Sequence, residues 1–418
     1  MEGFMSAVST FLGNLGSSVL VALVMFIFGL CFKAGFSKSL RGGIYAGIGL
    51  AGLSVIVNTA VDQLTPAIEA FAGRFNTTLS VADVGWGSAG IAFAWPGLAL
   101  VIIGTLAVNA LLIVLKVTKT MWTDIWSIWH GNVLAGFVWA ATGGNVFLGI
   151  LAGVLFLTIG SKVADWTAKD YQDFNGMPGI AVPCTVSLLG IFAKWFNKLI
   201  DLIPGLNKID ITPDKARKTM GIFGELGVMG VVIGCIIGIL AGYQYGAVLQ
   251  LGVSVGVLMV FLPKTVSVLC EGVIPIANAI TEFVQEKFEG RELYVGVDCA
   301  ALLGHPSVMA SAVILYPLII ILACILPGNK LLPIASLAVV PYWCGACAAQ
   351  LKGNVFRIIL FVLLWTIPVF YIASAMAPLH TLTMGQLGLA DPAVVNSSFD
   401  MGGDVLGGLF VAIFKLFA

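Results

Sequence analysis

Residues 295–326 read VGVDCAALLGHPSVMASAVILYPLIIILACIL, a stretch with polar residues in its first part and no charged residue in its second. The second part, 306–326, is long enough to cross the hydrocarbon core of a bilayer, which takes about 20 apolar residues. Asp298 and His305 stand just before it, and ionisable side chains at membrane depth usually face a cavity or a partner. This stretch predicts a membrane helix that follows a polar segment of functional importance.

Apolar segments of similar length recur along the chain of 418 residues, which is 59% hydrophobic and 10% charged and has a mean hydropathy of +1.03. This composition is typical of a polytopic membrane protein and excludes a soluble globular domain. We therefore expect an all-α membrane fold with about eleven transmembrane helices. The predicted spans are 17–32, 43–61, 89–115, 132–160, 179–203, 221–241, 246–262, 306–326, 331–349, 355–377 and 404–417.

The sequence also argues against several classes of function. The formal net charge is zero, and no basic stripe with interleaved aromatic residues indicates nucleic-acid binding. The C-x-x-C of Cys344 and Cys347 lacks the second cysteine or histidine pair of a metal site. Walker A, HExxH and nucleophile-elbow motifs are missing as well. We therefore expect no metal, no nucleotide and no other cofactor.

Lysine and arginine are distributed unevenly between alternate connections of the predicted spans. One set of connections holds 17 of these residues and the other set holds 4. Basic residues near the ends of spans prefer the cytoplasmic side of the membrane. This bias predicts an external N-terminus, a cytoplasmic C-terminus and a cytoplasmic connection at 204–220.

Two parts of the chain show the same order of features. GIYAGIGLAGL at 43–53 precedes GRFNTTLSVADVGWG at 73–87, and GAVLQLGVSVG at 246–256 precedes GRELYVGVDCAALLG at 290–304. The copies begin at the second and the seventh predicted spans, and an odd offset reverses their orientation in the membrane. We therefore predict two inverted repeats, each with a re-entrant hairpin that carries a single aspartate.

The predicted repeats define the organisation of the chain. The units are a first half at 1–203 with spans 1–5 and a hairpin near 76–92, the connection at 204–220, a second half at 221–377 with spans 6–10 and a hairpin near 291–306, and an external loop with the last span at 378–418.

Eight short sequence motifs occur in order along the chain: VADVGWG (81–87), DIWSIWH (124–130), GIAVP (179–183), FGE (223–225), IIGILAGY (236–243), VLQL (248–251), GVDCAALLGH (296–305) and LPGN (326–329). Together they resemble the galactitol-type IIC membrane components of the bacterial sugar phosphotransferase system. The resemblance implies the fold of the related ascorbate-type IIC proteins. That fold has eleven spans, inverted halves, a dimer-forming scaffold domain and a mobile core domain that carries substrate by an elevator-type motion.

The resemblance also implies a function. The protein would be a permease in the bacterial inner membrane that takes up galactitol or a similar polyol. A separate cytoplasmic IIB protein with a phosphocysteine, itself supplied by IIA, would phosphorylate the substrate, so the chain alone is not a complete enzyme. A homodimer surrounded by membrane lipid is expected. One position departs from the family pattern, because Cys184, followed by Thr185, stands where the galactitol-type proteins have a histidine. A polyol is still expected, but galactitol itself is not fixed.

The candidate substrate-binding residues are Asp83, Trp86, His130, Cys184, Thr185, Glu225, Asp298 and His305. The Asp298 carboxylate can accept hydrogen bonds from two hydroxyl groups, and it can orient the reacting hydroxyl or accept its proton. Its alternative role is structural, either as a hairpin cap or in an ion pair. Asp83 is its counterpart in the first repeat. Trp86 fits the C–H face of a sugar alcohol or, alternatively, anchors the chain at the membrane interface.

The remaining candidates also have simpler alternatives. His130 is either a ligand or a capping residue where a helix leaves the interface. His305 lies between a glycine and a proline, so it either points into a cavity or only ends the hairpin. Glu225 is either a ligand or a solvated residue at the start of a span. His380 is expected to be exposed in an external connection and has no assigned role.

A different function class is an ion-coupled secondary transporter of a polyol or another small organic solute. Asp83, Asp298 and His305 would then form a proton relay. Transport that needs a pH gradient, but neither phosphoenolpyruvate nor IIB, would favour this alternative. The lysine-rich stretch 194–218 fits docking of an anionic phosphoprotein, or simply the cytoplasmic preference of basic residues.

Overall fold

The structure is a computed structural model that describes residues 18–73, 79–124, 126–213, 225–287 and 292–417, with the single residues 215, 218 and 222. Most of these residues are helical. The helices that lie wholly within the described ranges are α1 (Ser18–Cys31), α2 (Phe36–Gly73), α3 (Ala89–Ala94), α4 (Leu98–Val114), α5 (Trp129–Ala141), α6 (Val146–Asn175), α7 (Leu188–Leu202), α8 (Leu226–Ala241), α9 (Tyr245–Lys287), α10 (Pro306–Ile325), α11 (Val340–Ala348), α12 (Val355–Gln386) and α13 (Val405–Phe414).

Several helices have the length and composition of membrane spans. Among the described residues, α6, α10 and α12 are each able to cross a bilayer alone. Gly85–Ala94 and Leu98–Val114 meet the same criterion together but bend by 88°, as in a broken span or a re-entrant loop. Shorter apolar helices, among them α1 and α8, accompany them. The prediction of an all-α polytopic membrane protein is confirmed, and the number of eleven spans stays a prediction.

The two longest helices form one layer of the protein. α2 has 38 residues and α9 has 43, so at 1.5 Å per residue both are longer than the hydrocarbon core of about 30 Å. They pack along each other, and α8 packs against both. The predicted spans 43–61 and 246–262 are therefore only parts of longer helices.

Glycines allow α2 and α9 to approach closely. A Cβ atom added to Gly272 of α9 would lie 2.3 Å from the backbone nitrogen of Ala46 and 2.5 Å from the carbonyl oxygen of Gly42. Close backbone packing is a main source of association between membrane helices. Gly272 is therefore a position where even one methyl group does not fit.

Gly272→Ala is expected to lower the free energy of unfolding by about 1–3 kcal/mol, because the new methyl group forces two helix backbones apart. Gly246→Ala in the same helix is the matched control, since nothing lies within 4 Å of its added Cβ. Thermal unfolding of the purified proteins in detergent measures the difference. Equal melting temperatures for the two variants would contradict the packing of α2 against α9.

Five very short strands form two small parallel sheets within the described residues. The strands are β1 (Ala82–Asp83), β2 (Thr120–Met121), β3 (Ile180–Ala181), β4 (Tyr294–Gly296) and β5 (Asn396–Ser397). β1 pairs with β5, and β4 lies between β2 and β3. Short 3-10 turns follow β2, β3 and β4, so the second sheet brings the starts of three helices together.

An exposed ion pair lies at the edge of the second sheet. Lys119, just before β2, donates from Nζ to Oε2 of Glu292, just before β4, over 2.8 Å. This hydrogen bond raises the pKa of Lys119 and lowers the pKa of Glu292. The pair joins two segments that are far apart in the sequence, but both side chains are exposed, so its contribution to stability is small.

The elements follow the same order in both halves of the chain. The first half runs through α1, α2, β1, the bent pair α3–α4, β2, α5, α6, β3 and α7. The second half, continued by the loop and last span at 378–418, runs through α8, α9, β4, α10, a bridge from Leu331 to Val81, α11, α12, β5 and α13. The two segments predicted as hairpins correspond to β1 with its turn and to β4 with its turn, although 76–78 and 291 lie outside the described residues.

The expectation that His380 is exposed was wrong. α12 continues to Gln386, beyond the predicted end of the span at residue 377, and the His380 side chain is fully buried. Its Nδ1 lies 2.6 Å from Oδ1 of Asn396 and its Nε2 lies 2.8 Å from Oγ of Ser88. His380, Thr381 and Thr383, which lowered the hydropathy after 377, face the protein interior and form hydrogen bonds there.

Candidate functional site

A cavity of about 170 Å³ collects polar and aromatic side chains from both halves of the chain. The first half contributes Trp86, just after β1, and His130, at the start of α5. The second half contributes Asp298 and Tyr342, and the segment before the last span contributes Asp400. A small concave space with a few converging polar groups is typical of a binding site for a small solute.

A larger groove lies elsewhere. It has about 780 Å³ and runs along α2 and α9, where side chains such as Val55, Leu249, Val253 and Phe261 line it. These side chains are largely apolar and exposed, as expected for a face in contact with lipid. The small polar cavity is therefore the better candidate site.

Asp298 lies between β4 and the following turn, where its carboxylate caps the turn and lines the cavity. Its Oδ1 accepts a hydrogen bond from the Ala300 backbone N–H over 2.7 Å, which caps the turn at 299–304. Its Oδ2 accepts a hydrogen bond from Oγ of Ser127 over 3.1 Å. The carboxylate also lines the cavity, so capping fixes its position and leaves it available to a ligand.

His130 also lines the cavity and lies in the first turn of α5. Its Nδ1 is 3.2 Å from the carbonyl oxygen of Ser127, and a carbonyl oxygen only accepts, so Nδ1 is the donor. Its Nε2 lies 3.8 Å from Oδ1 of Asp400. The Trp129 ring is tilted against the imidazole at 3.9 Å between centroids. The ring is thus held with Nε2 facing a carboxylate.

Cys184 and Thr185 follow β3 and lie next to His130. The Cys184 side chain is buried, and its Sγ lies 4.0 Å from Nδ1 of His130. Thr185 lines a recess of about 30 Å³ that also contacts His130 and Asp400. The structure therefore brings Trp86, His130 and Asp298 to the cavity itself, with Cys184 and Thr185 beside it.

Asp83, the counterpart of Asp298 in the first half, is used differently. Its Oδ1 accepts hydrogen bonds from the Gly85 backbone N–H at 3.0 Å and from Oγ of Ser336 at 2.5 Å. Its Oδ2 accepts one from the Ser336 backbone N–H at 2.7 Å. Asp83 does not line the cavity, and its carboxylate ties the turn after β1 to the turn before α11.

His305 and Glu225 also lie away from the cavity. His305 caps α10, where its Nδ1 accepts from the Ser307 backbone N–H at 3.3 Å, and its ring lies 4.2 Å from the Phe174 ring. Glu225 is exposed just before α8. In this conformation the geometry agrees with the simpler alternatives considered for these two residues.

Three residues in or beside the cavity were not among the candidates from the sequence. Tyr342 and Asp400 line the cavity, and the buried Asp124 lies behind it, where Ser127 joins it to Asp298. The sequence did mark Asp124, because it is the first residue of the motif DIWSIWH. Asp400 follows β5 in a segment predicted to be an external loop, so hydropathy gave no reason to choose it.

Comparisons with known proteins place the chain in a family. Two PTS galactitol-specific EIIC components, from Escherichia coli K12 and Escherichia coli O157:H7, are each 33% identical over 415 residues, which is 98% of this chain and 91% of the relative. A putative permease IIC component of Escherichia coli K12 is 33% identical over 374 residues, 88% of this chain and 84% of the relative. The family model EIIC-GAT, described as the PTS system sugar-specific permease component, matches residues 10–394. The chain therefore belongs to the EIIC-GAT family of sugar-specific permease components of the phosphotransferase system.

Proposed function

We propose that this protein is the sugar-alcohol permease of a phosphotransferase system and that it binds its polyol in the cavity between Trp86, His130 and Asp298. The observation that carries the proposal is the convergence of a carboxylate, an imidazole and aromatic rings from both halves of a chain of this family. The Asp298 carboxylate and the His130–Asp400 pair would bind hydroxyl groups. The Trp86 ring would lie against the C–H face of the carbon chain.

The identity of the polyol is narrowed by the relatives, two of which are galactitol-specific components. Cys184 contacts His130 from the position that differs from the galactitol-type pattern. A thiol is a weak donor and acceptor, so it replaces strong hydrogen bonding by a small, soft contact. We therefore propose a hexitol or pentitol and leave its stereochemistry to direct measurement.

The transported polyol would be phosphorylated by a cytoplasmic IIB protein supplied by IIA. The hydroxyl oxygen forms a bond to phosphorus, the phosphorus–sulfur bond of the IIB phosphocysteine breaks, and the hydroxyl proton passes through Asp298 to the released thiolate. A phosphate ester carries about −1.5 to −2 charge and does not recross the hydrocarbon core. Uptake would thus be driven by the phosphoryl transfer.

An elevator-type motion is supported by the location of the cavity. α1, α2, α8 and α9 would form the dimer-forming scaffold, and the remaining helices with the two small sheets would form the mobile core. Leu50 of α2 lines the cavity together with core residues such as Asp298, so the site lies at the proposed boundary. The matching order of elements, with the odd offset between spans, supports inverted repeats.

The setting of the protein follows from the same family. It is a multi-pass protein of the bacterial inner membrane, in contact with lipid, and we propose an external N-terminus, a cytoplasmic C-terminus and a homodimer. The proton-relay alternative receives no support from the geometry, because Asp83 and His305 lie away from the cavity that Asp298 lines.

A panel of hexitols and pentitols tests the proposed function. The purified chain is expected to gain thermal stability with at least one of them, since a ligand that binds the folded state raises the melting temperature. The same polyol should then accumulate as its phosphate in vesicles that contain the chain, IIB, IIA and phosphoenolpyruvate. Accumulation of free polyol that needs a pH gradient, but neither phosphoenolpyruvate nor IIB, would favour the secondary transporter instead.

A further inference from the structure

A buried carboxylate, Asp124, and the half-buried carboxylate of Asp298, which lines the cavity, approach each other across a single serine. The Ser127 backbone N–H donates to Oδ1 of Asp124 over 3.1 Å, and Oγ of Ser127 donates to Oδ2 of Asp298 over 3.1 Å. Asp124 is only 2% exposed. Among the described residues, no lysine or arginine forms an ion pair with either carboxylate.

The two carboxylates differ in their hydrogen bonding. Both oxygens of Asp298 accept a hydrogen bond, one from the Ala300 N–H and one from Ser127. Asp124 has one such bond, and its Oδ2 is buried with no hydrogen-bond partner in the described part of the chain. A buried anion with a bare oxygen costs several kcal/mol, whereas a neutral carboxyl group in the same place costs far less.

The surroundings do not supply a fixed positive charge that would offset two negative ones. The titratable groups that face the pair are Cys184, Cys299, His130, Tyr342 and Asp400, from five different segments. Of these, only His130 is able to become a cation, and its Nε2 faces Asp400. Like charges that share a buried site are not both ionised.

We propose that Asp124 holds a proton while Asp298 is ionised, and that Asp124 is a positioning residue for phosphoryl transfer. This inference rests on the proposed function. A neutral Asp124 keeps Ser127 directed at Asp298 without repelling its charge. Asp298 then remains the single anionic acceptor for the substrate hydroxyl. Ionisation of Asp124 at high pH would place a second negative charge across Ser127 and disturb this arrangement.

Asp124→Asn tests the proposal, because an amide is neutral and has nearly the same shape. At about pH 6 the variant is expected to phosphorylate the polyol within roughly threefold of the wild-type rate, whereas Asp124→Ala, which leaves the Ser127 N–H unpaired, should be roughly 10-fold or more slower. Between about pH 6 and pH 9 the wild-type rate should fall, and the fall should be missing in Asp124→Asn. An Asp124→Asn variant that melts normally but is as inactive as Asp298→Asn would overturn the proposal, and so would an unchanged pH profile.

Infrared difference spectroscopy gives a second readout that needs no substrate. The spectrum of wild type minus Asp124→Asn at about pH 6 should contain the C=O stretch of a protonated carboxyl group. A carboxylate band in its place would show that Asp124 is ionised and would refute the inference even if the polyol panel succeeds. If no polyol of the panel binds but the carboxyl band is present, the proposed function is wrong, whereas the inference that Asp124 is protonated stands.

Discussion

Asp298→Asn is expected to reduce polyol phosphorylation by at least about 100-fold in kcat/KM, since a positioned proton acceptor contributes about 10²–10⁴ to such reactions. The amide replaces one acceptor oxygen by a donor group, and both oxygens of Asp298 accept hydrogen bonds in the structure. The remaining amide oxygen still accepts from the Ala300 N–H, so the variant keeps the capped turn and loses the proton acceptor. Phosphoenolpyruvate-dependent phosphorylation in vesicles with IIB and IIA measures the effect.

Asp170→Asn serves as the control for Asp298→Asn. Asp170 forms an exposed ion pair with Lys194 at 3.2 Å, does not line the cavity, and contributes little to stability. Its loss should leave phosphorylation unchanged. Separate values of kcat and KM distinguish two roles of Asp298. A higher KM with an unchanged kcat would show that Asp298 only binds the substrate. Full activity of Asp298→Asn would remove this residue from the central role.

The sequence was sufficient to find the cavity residues that lie in short polar motifs. Trp86, His130 and Asp298 each belong to such a motif, and the structure brings all three to one cavity. The approach of His130 to Asp298 depends on the parallel pairing of β2 and β4, and Trp86 follows β1, which pairs with β5. These strands are too short for a periodic sequence pattern to predict them. Asp400 and Tyr342 enter the cavity through folding over long sequence distances, so no local signal marks them.

The lengths of the helices were harder to predict for a physical reason. Hydropathy ends a span where charged residues begin, and it therefore ended one at 262, before Lys264 and Glu271. α9 continues to Lys287, because a helix with exposed charges can still pack its apolar face on α2. In α12, uncharged polar residues rather than charged ones ended the predicted span at 377, although the helix continues to Gln386 and the His380 side chain is buried.

The two repeat aspartates show a further limit of sequence reasoning. Their matching positions predicted matching roles in a shared site. Asp298 lines the cavity, whereas the carboxylate oxygens of Asp83 accept hydrogen bonds from Ser336 and Gly85. The role of an aspartate after such a strand depends on which segment packs opposite, and the two sheets are packed against different turns.

Asp83→Ala is therefore expected to lower the free energy of unfolding by about 2–4 kcal/mol, because it leaves the buried Ser336 N–H and hydroxyl without their acceptor. Protein that remains folded at low temperature should still phosphorylate the polyol, in contrast to Asp298→Asn. Asp62→Ala, at an exposed position of α2, is the control and should melt like the wild type. Thermal unfolding in detergent and phosphorylation in vesicles separate the two effects. Normal melting of Asp83→Ala together with lost polyol binding would show that Asp83 is a substrate-binding residue, as the sequence repeat predicted.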